Sequence, residues 1–346
     1  MPPSLSIENI QDKIICIRGH RERLFNVSFQ EIDNKIIFHN YGQGGAGWTF
    51  LFGCINESMR QFENYIAQKP TINNQAIVVI GAGCYGLLTA ITLARKGYTV
   101  KIIAKETDNI SSDKAAGFFF PRPRKVSNTQ EKEIFHERGT ESLQAYLEII
   151  HGTHPFIKSG AQILPAYYAL DIDPEFDPYI AKGLIQPPQK VVIDFNNEKK
   201  YDALEYHTLF INSMQLMQEL RRNAAQLNIQ IIKQEINSFD AVDSQVIFNC
   251  AGWGAKQLTQ DTRLVPVQGH LITLKNQSHL EQLQYMINFR VTMLTPKGTL
   301  RNELIYFAPK ESGILGITFL RGQDSQTSNQ HEFDRLLQRC HEFFGT

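Results

Sequence analysis

The sequence predicts an α/β protein with two domains, one built on a parallel sheet and the other on a mixed, largely antiparallel sheet. The first sheet is predicted by two short apolar strands, 76–80 and 98–104, which enclose a glycine-rich turn and a helix in a βαβ unit of about 30 residues. The second is predicted by later strands that stand between polar turns. A chain of 346 residues is long enough for both.

Composition and charge exclude several classes of protein. Lys and Arg together number 35, as do Asp and Glu, so the chain lacks the general positive field that nucleic acid or anionic lipid would require. No apolar run approaches the roughly 18 to 20 residues that span a bilayer. The start of the chain lacks the pattern of a signal peptide, and the five scattered cysteines form no CxxC pair. We therefore predict a cytoplasmic protein without a membrane span, a nucleic-acid partner or a metal site.

The first 70 residues begin with three predicted strands, 13–17, 24–29 and 35–38, and end with an apolar helix over 48–66. Between them, residues 42–47 contain four glycines, which weaken any regular element. One interpretation is a loop that contacts a flat or anionic ligand, with the positive end of the helix directed at the same ligand. The alternative is a tight turn without a ligand.

The turn after strand 76–80 contains the spacing of a dinucleotide-binding fingerprint, formed by Gly81, Gly83 and Gly86. The first glycine permits the tight turn, the second lets backbone N–H groups approach a pyrophosphate, and the third lets helix and strand pack closely. The acid that would bind a ribose belongs at the end of the second strand, where Glu106 follows Lys105. The alternative for the glycines is a strand–helix turn that binds no ligand, and the alternative for Glu106 is an exposed surface carboxylate.

The remaining elements extend the two predicted sheets. A helix over 212–227 and strands over 228–232 and 245–249 continue the parallel layer, and a helix over 333–344 closes the chain. The antiparallel strands are predicted over 190–195, 269–275, 284–294, 303–308 and 313–319.

Four segments together resemble the D-amino-acid oxidase family of FAD-dependent oxidoreductases: His-Asn-Tyr-Gly-Gln-Gly-Gly-Ala-Gly-Trp-Thr at 39–49, the stretch 76–86, Ala-Ala-Gly at 115–117 and Asn-Cys-Ala-Gly at 249–252. The stretch 229–258 follows the family pattern as well, whereas 160–202 is faint. In the family the segment like 39–49 comes at the C-terminus, but here it precedes the first Rossmann strand. The resemblance therefore implies a circular permutation in which 69–75 joins the original termini and new ends lie near Thr346 and Met1.

The resemblance implies FAD as the cofactor and a Rossmann-type FAD-binding domain beside a substrate domain. The FAD-binding pieces are expected at 37–69, 76–159 and 211–264, and the substrate-domain pieces at 1–36, 160–210 and 265–346, with 69–75 as the linker. The residues that match the family's cofactor contacts are, from the pyrophosphate through the adenosine and ring to the flavin's pyrimidine edge, Gly81, Gly83, Gly86, Lys105, Glu106, Ile236, Ser111, Ser112, Ala116, Gly117, Ala251, Gly252, Gly44, Gly45, Gly47 and Thr49. Lys105 and Glu106 differ in residue type from the family's pair.

For the substrate, the resemblance implies that Arg21 binds the carboxylate of an amino acid, because a guanidinium meets both oxygens at once. The hydroxyl of Tyr306 would assist, and the carbonyl of Gly45 would accept from the amine. The alternatives are a surface salt bridge of Arg21 with Glu22 or Glu31, and a half-buried strand aromatic at 306.

The pocket departs from the family at two places. Asn302 stands where some members have a tyrosine, and Phe120, which follows Phe119, replaces a polar residue near the flavin. The implied reaction is oxidation of the amine carbon of an amino acid or related amine to an imine by hydride transfer, with oxygen or another electron acceptor. The alternatives are a dehydrogenase that uses a non-oxygen acceptor, and an FAD-binding protein whose catalytic site has decayed into a binding role.

Overall fold

The computed structural model describes residues 1–69, 76–195, 199–294, 299–325, 327 and 329–346. A six-stranded sheet contains, in spatial order, β2 (Asn26–Ile32), β3 (Lys35–Tyr41), β10 (Val246–Asn249), β4 (Ile77–Ile80), β5 (Val100–Ala104) and β9 (Gln230–Lys233). Every neighbouring pair from β3 to β9 is parallel, and β2 is the antiparallel edge. The predicted βαβ unit therefore lies inside a parallel sheet.

The apolar character of β4 follows from burial on both of its faces. Val79 packs in the core shared with helices α1 (Leu51–Gln68) and α2 (Cys84–Arg95), and Val78 packs in a second core on the opposite face. Successive side chains of a strand point to opposite faces, so a strand covered on both sides must be apolar throughout.

The second sheet has nine strands and is antiparallel apart from one pair, β6 with β12. Its strands, in spatial order, are β1 (Ile10–Arg21), β11 (Leu264–Leu274), β14 (Ile314–Gly316), β13 (Leu300–Ala308), β12 (Met286–Leu294), β6 (Ala161–Ala169), β8 (Lys200–Ile211) and β7 (Gln189–Asp194), with β15 (Leu320–Arg321) beside β11. The C-terminal helix α8 (Gln330–Phe344) packs on β11 and β13. The predicted mixed, largely antiparallel sheet is confirmed.

Several elements differ from the sequence prediction. Strands β6 and β8 and the long helix α4 (Thr129–Ile150) have no predicted counterpart. Strand β2, which the predicted boundary at residue 36 grouped with the substrate-domain pieces, forms a hairpin with β3 in the six-stranded sheet. Its two-residue turn contains Asp33 at a φ of 51°, a conformation that Asp tolerates. Within the predicted linker, Lys69 follows α1 directly, and 70–75 lie outside the described residues.

Three of the remaining helices are short, namely α3 (Ser111–Lys114), α5 (Asp177–Ile180) and α7 (Ala255–Thr259), and the longer α6 (Ser213–Gln226) packs along α2.

The two sheets meet where β1 ends. Gly19 lies against the backbone of Trp253, which follows β10, and His20 forms a β-bridge with Gln43, which follows β3. The end of β1 thus lies at the carboxyl edge of the parallel sheet, where α/β proteins bind ligands. Among the described residues, no helix combines the length and apolarity needed to cross a membrane.

Candidate active site

The fingerprint turn is built so tightly that two of its three glycines exclude any side chain. Gly81 has a φ of 108°, and a Cβ there would lie 2.4 Å from the carbonyl oxygen of Cys250. A Cβ on Gly86 would lie 1.8 Å from the carbonyl oxygen of Gly81. Helix α2 therefore starts close to the end of β4, and its N-cap residue Gly83 has no side chain that could cap it. Backbone N–H groups at the N-terminus of a helix are suited to a phosphate.

The segment 111–117 lies beside this turn. The Cys84 backbone N–H donates to Ser112 Oγ at 3.1 Å, and Ser111 Oγ donates to the Ile17 carbonyl in β1 at 3.0 Å. A Cβ on Gly117 would lie 2.1 Å from the Ile211 carbonyl oxygen. The predicted residues Ser111, Ser112 and Gly117 are thus held between the fingerprint helix and the large sheet, and Ala116 between them is buried.

A buried lysine fixes the same segment from the other side. Lys310, in the turn between β13 and β14, donates from Nζ to the carbonyls of Asp113 (2.5 Å) and Ala115 (3.0 Å) and to Ser213 Oγ (2.9 Å). Burial lowers the pKa of this ammonium to about 8. The contact ties the nine-stranded sheet to the segment predicted to lie along the cofactor.

The predicted adenosine end is more exposed. Lys105 pairs with Glu235 at 2.8 Å, and Glu106 pairs with Lys233 at 3.7 Å. The side chain of Ile236 is buried in the core beneath β4. The ribose contact of Glu106 therefore stays a prediction, and in this structure the residue is an exposed carboxylate with a lysine partner.

The glycine-rich loop lies between the end of β1 and α2. A Cβ on Gly44 would meet His20 Nδ1 at 2.8 Å, and the Tyr85 hydroxyl donates to the Gly47 carbonyl at 2.9 Å. Thr49 Oγ1 donates to the Phe118 carbonyl at 3.3 Å. The loop is therefore next to the fingerprint turn in space, as the resemblance implies, and its close contacts explain why glycines stand there.

On the far side of the fingerprint, Ala251 and Gly252 adjoin the same turn. The Cβ position of Gly81 is 3.3 Å from the Ala251 Cα, and Gly252 has a φ of 58°. The two predicted residues therefore flank the start of the βαβ unit.

A buried arginine that the sequence analysis did not identify holds the start of the glycine-rich loop. Arg124 donates to the carbonyl of Arg21 and, at 2.8 Å, to the carbonyl of Gly42. Burial, followed by repulsion from Arg21 and Arg263, lowers its pKa to about 9. Arg124 thus joins the end of β1 to the loop through backbone contacts.

Arg21, the predicted carboxylate ligand, is already engaged. Its Nε lies 2.7 Å from Asp261 Oδ2, and its Nη1 donates to the Leu24 carbonyl at 2.8 Å. Burial raises the pKa of Asp261, but the hydrogen bond and charge of Arg21 outweigh it and leave that pKa below its ordinary value. The anticipated salt-bridge partners, Glu22 and Glu31, pair with other cations instead, namely Arg321 and Lys69.

Arg18, three residues earlier on β1, has the opposite environment. It is 7% exposed, and no carboxylate among the described residues lies within salt-bridge distance of it. Its Nη2 donates to the Thr318 carbonyl at 2.8 Å, while Nε and Nη1 are buried and find no hydrogen-bond partner in the part of the chain that the structure describes. Burial lowers its pKa, and a buried cation without an anion is costly. Arg18 is therefore the candidate anion site.

Two predicted substrate residues lie beside Arg18. A Cβ on Gly45 would be 3.1 Å from Arg18 Nη1, so the absence of a side chain leaves space beside this buried group. Tyr306 lies close enough for the charge of Arg18 to favour its ionisation, but burial raises its pKa well above the ordinary value. The phenol therefore stays protonated at neutral pH, and its ring packs 4.1 Å from that of Phe118.

The three predicted pocket residues separate in space. Phe120 is half-buried and stacks on Tyr168, with ring centroids 6.3 Å apart. Phe119 is fully buried and lies edge-on to Tyr179. Asn302 is exposed, accepts from Thr292 at 2.9 Å and lies four residues from Tyr306 along β13. The pocket roles of all three residues stay predictions.

The sequence contained a signal for Arg18 that we did not use. Cys16 and Arg18 share the buried face of β1, so the alternation of the strand directs Arg18 inwards. A second signal is Gly269 in β11, where a Cβ would lie 2.5 Å from Arg18 Nη2. A glycine on the neighbouring strand is what makes room for the guanidinium.

Comparison with known proteins assigns the chain to a family. Residues 76–346 match the family described as DAO, FAD dependent oxidoreductase. The chain belongs to this family. The family is described as FAD dependent, and the N-terminus of α2 beside glycines that exclude side chains fits that cofactor. The predicted family, cofactor and fold class are confirmed, whereas the circular permutation stays a prediction.

Individual relatives share about a quarter of the aligned residues with this chain. The chain is 24% identical over 202 residues to a D-amino-acid oxidase of Streptomyces coelicolor, covering 58% of this chain and 59% of that protein. It is 26% identical over 229 residues to a D-amino-acid oxidase of Dictyostelium discoideum, covering 63% and 61%. The matches thus span less than two thirds of the relatives' own length. Iminodiacetate oxidase from Chelativorans sp. BNC1 has the same fold, with a TM-score of 0.52 and 15% identity over 77% of this chain and 78% of that one.

Proposed function

We propose that this enzyme oxidises the amine carbon of a carboxylate-bearing amino acid, or a related amine, to an imine. The observation that carries the proposal is Arg18, a buried cation whose Nε and Nη1 have no partner among the described residues. A carboxylate bound end-on would accept from Nη1 and from the second N–H of Nη2 and would supply the missing negative charge.

The neighbours of Arg18 prepare it for this role. The Thr318 carbonyl accepts one N–H of Nη2 and fixes that corner of the guanidinium, which leaves Nη1 and the second N–H of Nη2 for a carboxylate. The side of Gly45 without a side chain faces Nη1. The protonated hydroxyl of Tyr306 is a neutral donor near the same charge. Together these groups orient an amino acid by its carboxylate, which reduces the entropy lost in the reaction.

The amine is the second group to be positioned. We assign acceptance of an amine hydrogen to the Gly45 carbonyl and assign no general base, because an amine that is neutral when it reacts needs none. We assign Phe118, which packs on Tyr306, and Phe120, which stacks on Tyr168, to an apolar wall that would keep water from the reacting carbon. The chemistry that FAD would supply when bound is acceptance of the hydride, with oxygen or another electron acceptor as the final oxidant.

Anaerobic mixing of the purified, FAD-loaded protein with D-, L- and N-methyl amino acids tests the proposal. We expect at least one of them to bleach the flavin, and we expect Arg18→Lys to need a higher concentration of it, because an ammonium cannot make the two-pronged contact. The corresponding amine without a carboxylate is the control substrate, and its reaction should be the same in both proteins. A protein that carries FAD but is bleached by no amino acid would contradict the proposal.

A further inference from the structure

Phe319 is a large apolar side chain that lies at the entrance to the Arg18 site. It is 60% exposed, yet its ring centroid lies only 4.5 Å from Arg18 Cζ. The ring also lies 3.7 Å from the Cβ position of Gly45. One part of the ring therefore covers the guanidinium, and the rest faces solvent.

The backbone that carries this ring is held in place. Thr318 is buried, and its Oγ1 accepts from the His270 backbone N–H at 3.0 Å and bonds His270 Nδ1 at 2.6 Å. The carbonyl of the same residue accepts from Arg18 Nη2. The chain is thus anchored to β11 and to Arg18 immediately before Phe319, so the contact between ring and cation is built into the fold.

We propose that Phe319 determines specificity by forming an aromatic cover on the carboxylate subsite. The ring keeps water from one face of Arg18, and its exposed surface receives the apolar part of the ligand. The inference rests on the proposed function, because it takes Arg18 to be the carboxylate site. It adds Phe319, which among the described residues has the one aromatic ring over the Arg18 guanidinium.

Two physical effects give the cover its influence. A guanidinium over an aromatic face is attracted to the ring, and removing water from one face strengthens its interaction with an anion at its edge. An alkyl group that leaves water for the ring surface adds about fourfold in affinity for each methylene, the fold-change that corresponds to ~0.8 kcal/mol. The site should therefore prefer carboxylates with an apolar chain to small or doubly charged ones.

Calorimetric titration of the FAD-loaded protein with acetate, butanoate, hexanoate and succinate tests this inference without turnover. For the wild type we expect affinity to rise with chain length and succinate to bind more weakly than butanoate. Phe319→Ala should weaken hexanoate by about tenfold, on the order of 1.4 kcal/mol, and flatten the dependence on chain length. Phe319→Trp should retain the affinity for hexanoate and the dependence on chain length, because it keeps an aromatic face. Phe29→Ala is the matched control, since Phe29 is an exposed phenylalanine on β2 that packs on Phe38 and Tyr65.

The outcomes separate this inference from the proposed function. If Phe319→Ala binds hexanoate as the wild type does and keeps the same dependence on chain length, the cover is wrong while Arg18 can still be the carboxylate site. If Arg18→Met binds hexanoate as tightly as the wild type, or the wild type binds none of the monocarboxylates, the proposed function is wrong and the cover fails with it.

Discussion

The two ends of the site are built from different parts of the chain. At the cofactor end the essential groups are backbone atoms, packed so closely that Gly81 and Gly86 have no room for a Cβ. At the proposed substrate end the groups are side chains, Arg18 on β1, Tyr306 on β13 and Phe319 between β14 and β15. The cofactor end is thus defined by exclusion of side chains, and the substrate end by a charge without a counter-charge. Substitutions should affect the two ends in different ways.

Strand β1 shows the same contrast over three residues. Arg21 has a carboxylate partner, and Arg18 has none among the described residues. Removing Arg21 leaves the Asp261 charge without its partner, whereas removing Arg18 leaves the uncharged Thr318 carbonyl without its donor. We therefore expect the loss of Arg21 to act mainly on stability and the loss of Arg18 mainly on substrate binding.

Gly86→Ala should have the largest effect and tests the cofactor end. Its Cβ would stand 1.8 Å from the Gly81 carbonyl oxygen, so α2 must move away from β4. We expect a loss of about 3 kcal/mol or more of stability and a protein that retains no FAD after purification. The flavin absorbance per chain and a urea unfolding curve measure both.

Gly254→Ala is the matched control, because its Cβ would have its nearest neighbour at 3.7 Å, an ordinary contact. Normal FAD content in the Gly86→Ala protein would show that the backbone at this end has more freedom than we describe.

Asp261→Asn tests the paired arginine. It leaves Arg21 without its carboxylate, and we expect a loss of about 1 to 3 kcal/mol at neutral pH with little change in carboxylate binding. Because the folded pKa of Asp261 is lowered, its contribution is present above the unfolded value near 3.9 and is lost as pH falls through the lower folded value. Denaturant unfolding of both proteins from pH 7 to pH 3 should show their difference shrinking below about pH 4. A difference that grows on acidification would contradict the ion pair.

Lys310→Met tests a third buried cation, which has only uncharged partners. The folded pKa is lowered from 10.5 to about 8, so between those values the unfolded chain binds more protons than the folded chain. The unfolding free energy of the wild type minus that of the variant should therefore rise with pH in this window, by at most about 1.4 kcal/mol per pH unit. Parallel pH profiles of the two proteins would rule out a titrating Lys310.

The smallest effect is expected from reordering the chain, because both ends of the site depend on contacts in space and not on the order of the segments along the chain. Residues 1–6 and Thr346 line one cavity of about 320 Å³. A short linker from Thr346 to Met1, with new ends opened near Asn73, should preserve the FAD content within the error of the absorbance measurement. Loss of FAD in a folded protein of this kind would count against the circular permutation.

The tight turn at Gly81 and Gly86 could be predicted from sequence, since a glycine between a buried strand and a helix is a local signal. The environment of the arginines on β1 could not. Whether Arg18 or Arg21 lacks a carboxylate partner depends on Asp261, which is 240 residues away from Arg21, and the space for Arg18 depends on Gly269. Phe119 and Phe120 illustrate the same limit, because only the packing shows that the first is fully buried and the second half-buried.

The most direct test compares Arg18→Ala with Arg21→Ala in anaerobic flavin reduction by a carboxylate-bearing substrate that the wild type oxidises. Our account predicts that Arg18→Ala weakens substrate binding by 2 to 5 kcal/mol, about 30- to 5,000-fold, and keeps its FAD and stability. It predicts that Arg21→Ala loses stability but binds substrate within about tenfold of the wild type, a margin of roughly 1.4 kcal/mol. The opposite pattern, with normal reduction of Arg18→Ala and a selective loss of substrate binding in Arg21→Ala, would contradict the assignment of the carboxylate to Arg18.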